Sequence, residues 1–354
     1  MNCAKFSFAV PPYMNALSEV KFSVLDLAPV VQGGTVADAF RNTLDLAQHV
    51  ERWGYQRFWL AEHHNIAGIA SAATSVLIGH VAAGTKTIRV GSGGIMLPNH
   101  APLVIAEHFG TLETLFPGRI DLGLGRAPGS DQMTARALMR DASAGELFPQ
   151  LVDELLSLMG TAKPGQQVRA MPGEGTNVPV WLLGSSTFSA QLAAMMGLPF
   201  AFAGQFAPRL MQEALHLYRK KFQPSERWPK PYVMIGLPLF AADEDAEAHR
   251  LATSAYQQIL ALHRGSPIAL PPPLDRAGDM VRLWSPMEEA GVRSHLAAAV
   301  IGGPETVRKK LLEVVAETRA DELMFNSPMF RHEDRLRSYE LLMQARDLEF
   351  GMQS

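Results

Sequence analysis

Three strand-like runs each lead into residues able to do chemistry. Arg57-Phe58-Trp59-Leu60-Ala61 ends in Glu62-His63-His64, and Thr87-Ile88-Arg89-Val90 ends in Gly91-Ser92-Gly93-Gly94. Arg119-Ile120-Asp121-Leu122-Gly123-Leu124 ends in Gly125-Arg126-Ala127-Pro128-Gly129. A histidine at a strand end can move protons near neutral pH. Paired glycines let a backbone approach a flat ligand closely, and an arginine attracts an anion. A fourth cluster, Gly184-Ser185-Ser186-Thr187, joins strand 180–183 to a helix start. Free N–H groups there, with the hydroxyls of Ser186 and Ser189 three residues apart, suit a phosphate; plain N-capping by serine is the alternative. For Arg126 the alternative is a solvated loop arginine.

Other chemistries lose support. Adjacent strand residues point to opposite faces, so His63 and His64 do not readily grip one ion, and no metal site is expected. His64 has a second reading as a hydrogen-bonded core residue behind the strand. Gly123 to Gly129 imitates a dinucleotide fingerprint, but its third glycine comes one position late and Pro128 occupies the loop. No G-x-x-x-x-G-K-[ST], G-x-S-x-G or H-E-x-x-H run occurs, which argues against phosphoryl transfer and serine hydrolysis.

All these clusters sit at the C-terminal ends of their strands, which form one face only if the strands run parallel. The chain supplies that alternation. Phe22 to Leu27 reads as a strand, and Thr35 caps a helix over 37–53 that Gly54 stops. Strands 57–62, 87–92 and 119–124 follow, separated by helices near 71–83 and from Pro102 to Pro117-Gly118. Helical segments run to Gly160, a Gly/Pro-rich loop covers 163–177, and a helix starts at Thr187 after strand 180–183. Strand 200–203, helix 208–221, strand 232–237 and a helix from Asp243 come next. Residues 264–302, with Pro271-Pro272-Pro273, are too long for an ordinary loop and are expected to form a lid. Helix 304–318, strand 322–325 and helix 333–347 complete the count. Eight strands alternating with helices predict a TIM (β/α)8 barrel with an insertion before the last βα unit, the rival being an open doubly wound sheet. One domain over 21–354, preceded by an N-terminal extension over 1–20, is the expected organisation.

Composition fits a soluble globular protein. The 354 residues are 47% hydrophobic and 19% charged, with a formal charge of −3 that offers nucleic acid or acidic lipid no basic surface. Cys3 is the single cysteine, so no disulfide forms within the chain and the cytoplasm is the default location. No run of apolar residues approaches a membrane span, and the short apolar stretch Phe6 to Pro12 is too broken for an export signal.

Ala61-Glu62-His63-His64-Asn65, Val90 to Pro98, Phe116-Pro117-Gly118-Arg119 and Asp121 to Gly129 occur together in an order that resembles the bacterial luciferase-like flavin monooxygenases. The resemblance runs from about Lys21 to the last helix. It implies a TIM-like barrel, reduced FMN as co-substrate, oxygen activation through a flavin hydroperoxide, a small organic substrate, a separate flavin reductase and frequent homodimers. It places the active-site histidine at His63 and a non-proline cis peptide under the flavin ring at Gly93-Gly94. Gly125 and Arg126 become flavin contacts, and Ser185, Ser186 and Ser189 the phosphate loop. Gly125 stands where light-emitting members carry larger side chains, so light emission is not inherited. Alternative readings are a deazaflavin-dependent dehydrogenase on the same fold and a flavin-binding protein without turnover.

Overall fold

The computed structural model describes residues 17–127, 132–138, 145–205 and 208–348. Its strands β1 (Lys21–Asp26), β2 (Arg57–Leu60), β3 (Arg89–Met96) and β4 (Ile120–Gly125) alternate with helices α1 (Val36–Arg52), α2 (Thr74–Gly84) and α3 (Pro102–Leu115). Helices α4 (Gln132–Ala137) and α5 (Phe148–Met159) precede β5 (Val180–Gly184), α6 (Thr187–Met195), β6 (Phe200–Phe202), α7 (Met211–Lys221) and β7 (Val233–Ala241). Then come α8 (Asp245–Leu251), α9 (Thr253–His263), α10 (Pro286–His295), β8 (Val300–Gly302), α11 (Pro304–Thr318), β9 (Glu322–Asn326) and α12 (His332–Asp347).

Every strand pairing is parallel, from β1 with β2 round to β6 with β7, β7 with β9, and β9 back to β1. Eight strands therefore close a (β/α)8 barrel, the predicted architecture. β8 stands outside it, paired only with the far end of β7, where Leu239 to Ala241 lie opposite Val300 to Gly302. Three residues carry too little pattern to be read as a strand, and the sequence reading missed it.

Local signals set the element ends. Thr35 and Asp38 form a reciprocal capping box at the start of α1, satisfying two N–H groups that the helix leaves open. Gly54 and Gly118 take left-handed φ values of 82° and 76° after the helices that they end. β3 runs to Met96, beyond the predicted 87–92, because its pairing with β4 shifts register between Ser92 and Ile95 and then resumes.

Two apolar layers hold the barrel. The larger lies between the outer strand faces and the helices, and includes Phe58, Leu60, Val90, Leu122 and Phe325. The smaller fills the interior with Leu25, Trp59, Ala61, Trp181, Ala201, Met234 and Met324. Leu17 and Val20, from the predicted extension, are buried in the outer layer; residues 1–16 lie outside the described residues. Within 264–302, Met280, Trp284 and Val292 pack with Leu260 of α9, and Leu270 bonds the backbone of Val30 and Gln32 after β1. None of residues 264–302 lines the cavity below. No described helix is long and apolar enough to cross a membrane.

Candidate functional site

Inward positions alternate along each strand, so the barrel interior is built in layers. At the N-terminal end the layer is ionic. Buried Arg57 bonds Glu322 and Asp121, each at 2.7 Å, and Arg89 bonds Asp121 at 2.6 Å. Trp59 Nε1 donates to Asp121 at 3.2 Å, Tyr232 donates its hydroxyl to Glu322 at 2.9 Å, and Ser23 also donates to Glu322. Burial alone would raise the Asp121 carboxyl; the charges and hydrogen bonds of Arg57 and Arg89 outweigh it and hold the group below the usual carboxylate range.

Above this floor Trp59 and Trp181 meet edge to face, with ring centres 5.3 Å apart. The strands beside them carry glycine at inward positions, and that contrast of bulk leaves a cavity of about 220 Å³. Its walls include Gly93, Gly94, Gly125, Arg126, Ser185, Ser186 and Ser189, so seven of the eight predicted site residues meet there. The Gly93-Gly94 peptide is cis. Leu25, Trp59, Met96, Met234 and Met324 give it an apolar lining.

The polar end of the cavity belongs to α6. Ser186 is extended and accepts the Ser189 N–H at 3.5 Å, the long limit of a hydrogen bond, so it caps the helix while lining the cavity. The Arg126 guanidinium lies 4.5 Å over the ring of Phe188, which brings a cation to the same helix start. Gln205, which the sequence reading missed, also lines the cavity, and its buried Oε1 has no partner among the described residues. It lies three residues past β6, where a polar residue at a barrel strand's C-terminal end is itself a signal.

These features fit a flavin mononucleotide. Hydroxyls, N–H groups and an arginine suit a phosphate, the glycine wall admits a flat ring, and an unpartnered acceptor suits a ring N–H.

His63 is half-buried and is not among the cavity-lining residues. It lies two residues beyond Ala61, which packs with Trp59 inside the barrel. Its neighbours form a cluster around buried Glu62, which accepts from the Met96 N–H at 3.0 Å and pairs with His64 and His100, both at 2.9 Å. Burial would raise the Glu62 carboxyl, but the bonds from His100, His64 and Met96, with the charge of His100, hold it lower. The cluster ties the ends of β2 and β3 together just behind the cavity wall at Met96. Among the described residues no group of His, Cys, Asp or Glu is placed to hold a metal ion.

The glycines differ in what they tolerate. A Cβ on Gly94 would come within 2.7 Å of the Gly123 carbonyl oxygen, which is backbone of β4, whereas the one close neighbour of a Cβ on Gly125 would be the flexible Met96 sulfur at 2.8 Å. Gly94→Ala is expected to cost about 1–3 kcal/mol and to impair ligand binding, with Gly125→Ala milder in both. Denaturant melts of the two variants check this, and equal costs would contradict it.

A closed parallel barrel with its cavity at the C-terminal ends of the strands has the form of a barrel enzyme. The sequence profile of the luciferase-like monooxygenases matches residues 20–322, and the chain belongs to that family. It is 53% identical over 333 residues to a luciferase-like monooxygenase of Escherichia coli (strain K12), spanning 94% of this chain and 98% of the relative. The crystal structure of apo-MsnO8 superposes with a TM-score of 0.86 at 35% identity, covering 93% of this chain and 99% of that one. The oxygenating constituent of 3,6-diketocamphane monooxygenase of Pseudomonas putida, solved with FMN, shares the fold at a TM-score of 0.71 and 16% identity, over 94% and 99%.

Proposed function

We propose that the chain is a monooxygenase that takes reduced FMN and O2 to oxygenate a small organic substrate at this cavity. The observation that carries the reading is the convergence of Gly93, Gly94, Gly125, Arg126, Ser185, Ser186 and Ser189 on one cavity from three different strand ends. Reduced FMN, when bound, would supply the electrons that activate O2.

The chain's own residues bind, orient and dry the site. Ser185, Ser186, Ser189, the first N–H groups of α6 and Arg126 take the phosphate. Gly93 and Gly94 support the ring, and Gln205 Oε1 accepts a hydrogen bond from its edge. Leu25, Trp59 and Met324 exclude water, which protects reactive oxygen chemistry from side reactions. His63 moves a proton at a ring nitrogen. The sequence has no nicotinamide fingerprint, so a separate flavin reductase is the expected electron source. A cytoplasmic homodimer completes the proposal; Val76 on α2 and Leu115 on α3, both exposed, offer apolar surface for a second copy.

Ser186→Ala combined with Ser189→Ala tests the phosphate assignment. Each lost charge-assisted bond is worth roughly 1.5–3 kcal/mol, so FMN affinity is expected to fall by one to several powers of ten. Unchanged affinity in a titration of the double variant would remove the assignment.

A further inference from the structure

Three of the five tryptophans lie in one contiguous stack with a tyrosine. Trp59, in the cavity wall, meets Trp181 at 5.3 Å between ring centres. Trp181 in turn meets Trp228 at 5.7 Å and Tyr232 at 5.4 Å, and those two lie 5.7 Å apart. Trp59 and Trp181 are fully buried, whereas Trp228 and Tyr232 are partly exposed at the opposite end of the barrel. The stack therefore connects the cavity to solvent through the floor.

We propose that this stack is a one-electron escape route, which carries oxidising equivalents from the cavity to the N-terminal surface of the barrel and spares the site from damage. It rests on the reading of the cavity as a flavin and oxygen site. The oxidant belongs to one of two classes, light-excited oxidised flavin or an oxygen-derived radical left by turnover that misses its substrate.

The surroundings of each ring assign its part. Trp59 Nε1 donates to the Asp121 carboxylate, whose negative charge favours loss of an electron from the ring, and the Arg57 guanidinium lies farther from this ring, at 5.9 Å, than from Trp181. Trp181 has the Arg57 guanidinium 4.8 Å over its face and its buried Nε1 has no partner among the described residues, so a positive charge passes over it and does not rest there. Tyr232 differs, because its hydroxyl donates to the buried Glu322 carboxylate at 2.9 Å. In the full step Tyr232 loses one electron and its O–H bond breaks. The proton moves to Glu322, the electron crosses Trp181 and Trp59, and the oxidant in the cavity is reduced by one electron. A thiolate in solution then gives one electron to the partly exposed tyrosine ring and becomes a thiyl radical, and the proton comes back from Glu322.

Flash photolysis of the full chain with oxidised FMN tests the route, and quenching of FMN fluorescence reports binding independently. In the unmodified chain an indolyl absorption is expected to give way to a lasting tyrosyl absorption. Tyr232→Phe, which keeps the ring and removes only the hydroxyl, is expected to lose the tyrosyl signal and leave a short-lived indolyl one. Trp181→Phe is expected to lose the tyrosyl signal as well. Bound FMN with no tyrosyl signal, or the same signal in both variants, overturns the proposal. If fluorescence shows no FMN binding, the cofactor reading fails, and azidyl radicals, which oxidise indoles, replace the flash. Tyrosyl absorption must then grow as indolyl absorption decays and be absent from Tyr232→Phe; any other course overturns the route.

Discussion

Arg57→Ala is expected to destabilise the chain by about 3–5 kcal/mol, the cost of leaving buried charges without their partner. Among the described residues Arg57 is the single side chain that joins Asp121 of β4 to Glu322 of β9 through the barrel axis. Asp121 would keep Arg89, but Glu322 would keep only neutral hydroxyl partners, Ser23 and Tyr232. The pH dependence follows from Asp121, whose folded-state pKa is depressed mainly by Arg57 and Arg89 working against burial. A depressed carboxylate stabilises the fold above its unfolded pKa of about 3.9, and that contribution is lost as pH falls through the lower folded value. The gap between Arg57→Ala and the unmodified chain is therefore expected to be full at pH 7 and to shrink below about pH 4. Urea melts across that range measure it. A loss at pH 7 under about 1 kcal/mol, the worth of a surface pair, would contradict the account.

His63→Ala is expected to cut turnover by about 10²–10⁴-fold with FMN affinity and stability close to unchanged. The assignment behind this is the likeness to the luciferase-like monooxygenases, since His63 lies past the end of β2 and outside the cavity lining. His64 has another job, since its Nε2 pairs with buried Glu62. His64→Ala is expected to cost roughly 1.5–3 kcal/mol of stability, the worth of a hydrogen bond to a charged group, with a smaller effect on turnover. Reversed effects in the two variants, measured by melts and by single-turnover rates, would exchange the roles.

How much was legible beforehand depends on the range of the interaction. Local capping and breaking signals at Thr35, Gly54, Pro102 and Gly118 located helix ends within a residue or two. Eight apolar runs separated by amphipathic stretches implied closure. The glycines, Arg126 and the serines were legible because barrel closure gathers strand ends that are far apart in sequence. Parity along β2 was less informative, since the regular strand stops at Leu60 and His63 lies beyond it. Long-range partners left no trace at all. His100 reaches Glu62 across 38 residues, and Arg57 reaches Glu322 across 265. Nothing in the runs around them marks either contact. The register shift within β3 was hidden too, because Gly-rich runs read as loop until a neighbouring strand fixes them.

The central claim is that the cavity holds FMN by the start of α6. The direct measurement is an anaerobic titration of the purified chain with reduced FMN and, in parallel, with a reduced deazaflavin cofactor. Saturable binding of FMN that weakens in the combined Ser186→Ala and Ser189→Ala variant is the predicted result. Tight binding of the deazaflavin with none of FMN would contradict the account and favour a dehydrogenase on the same barrel.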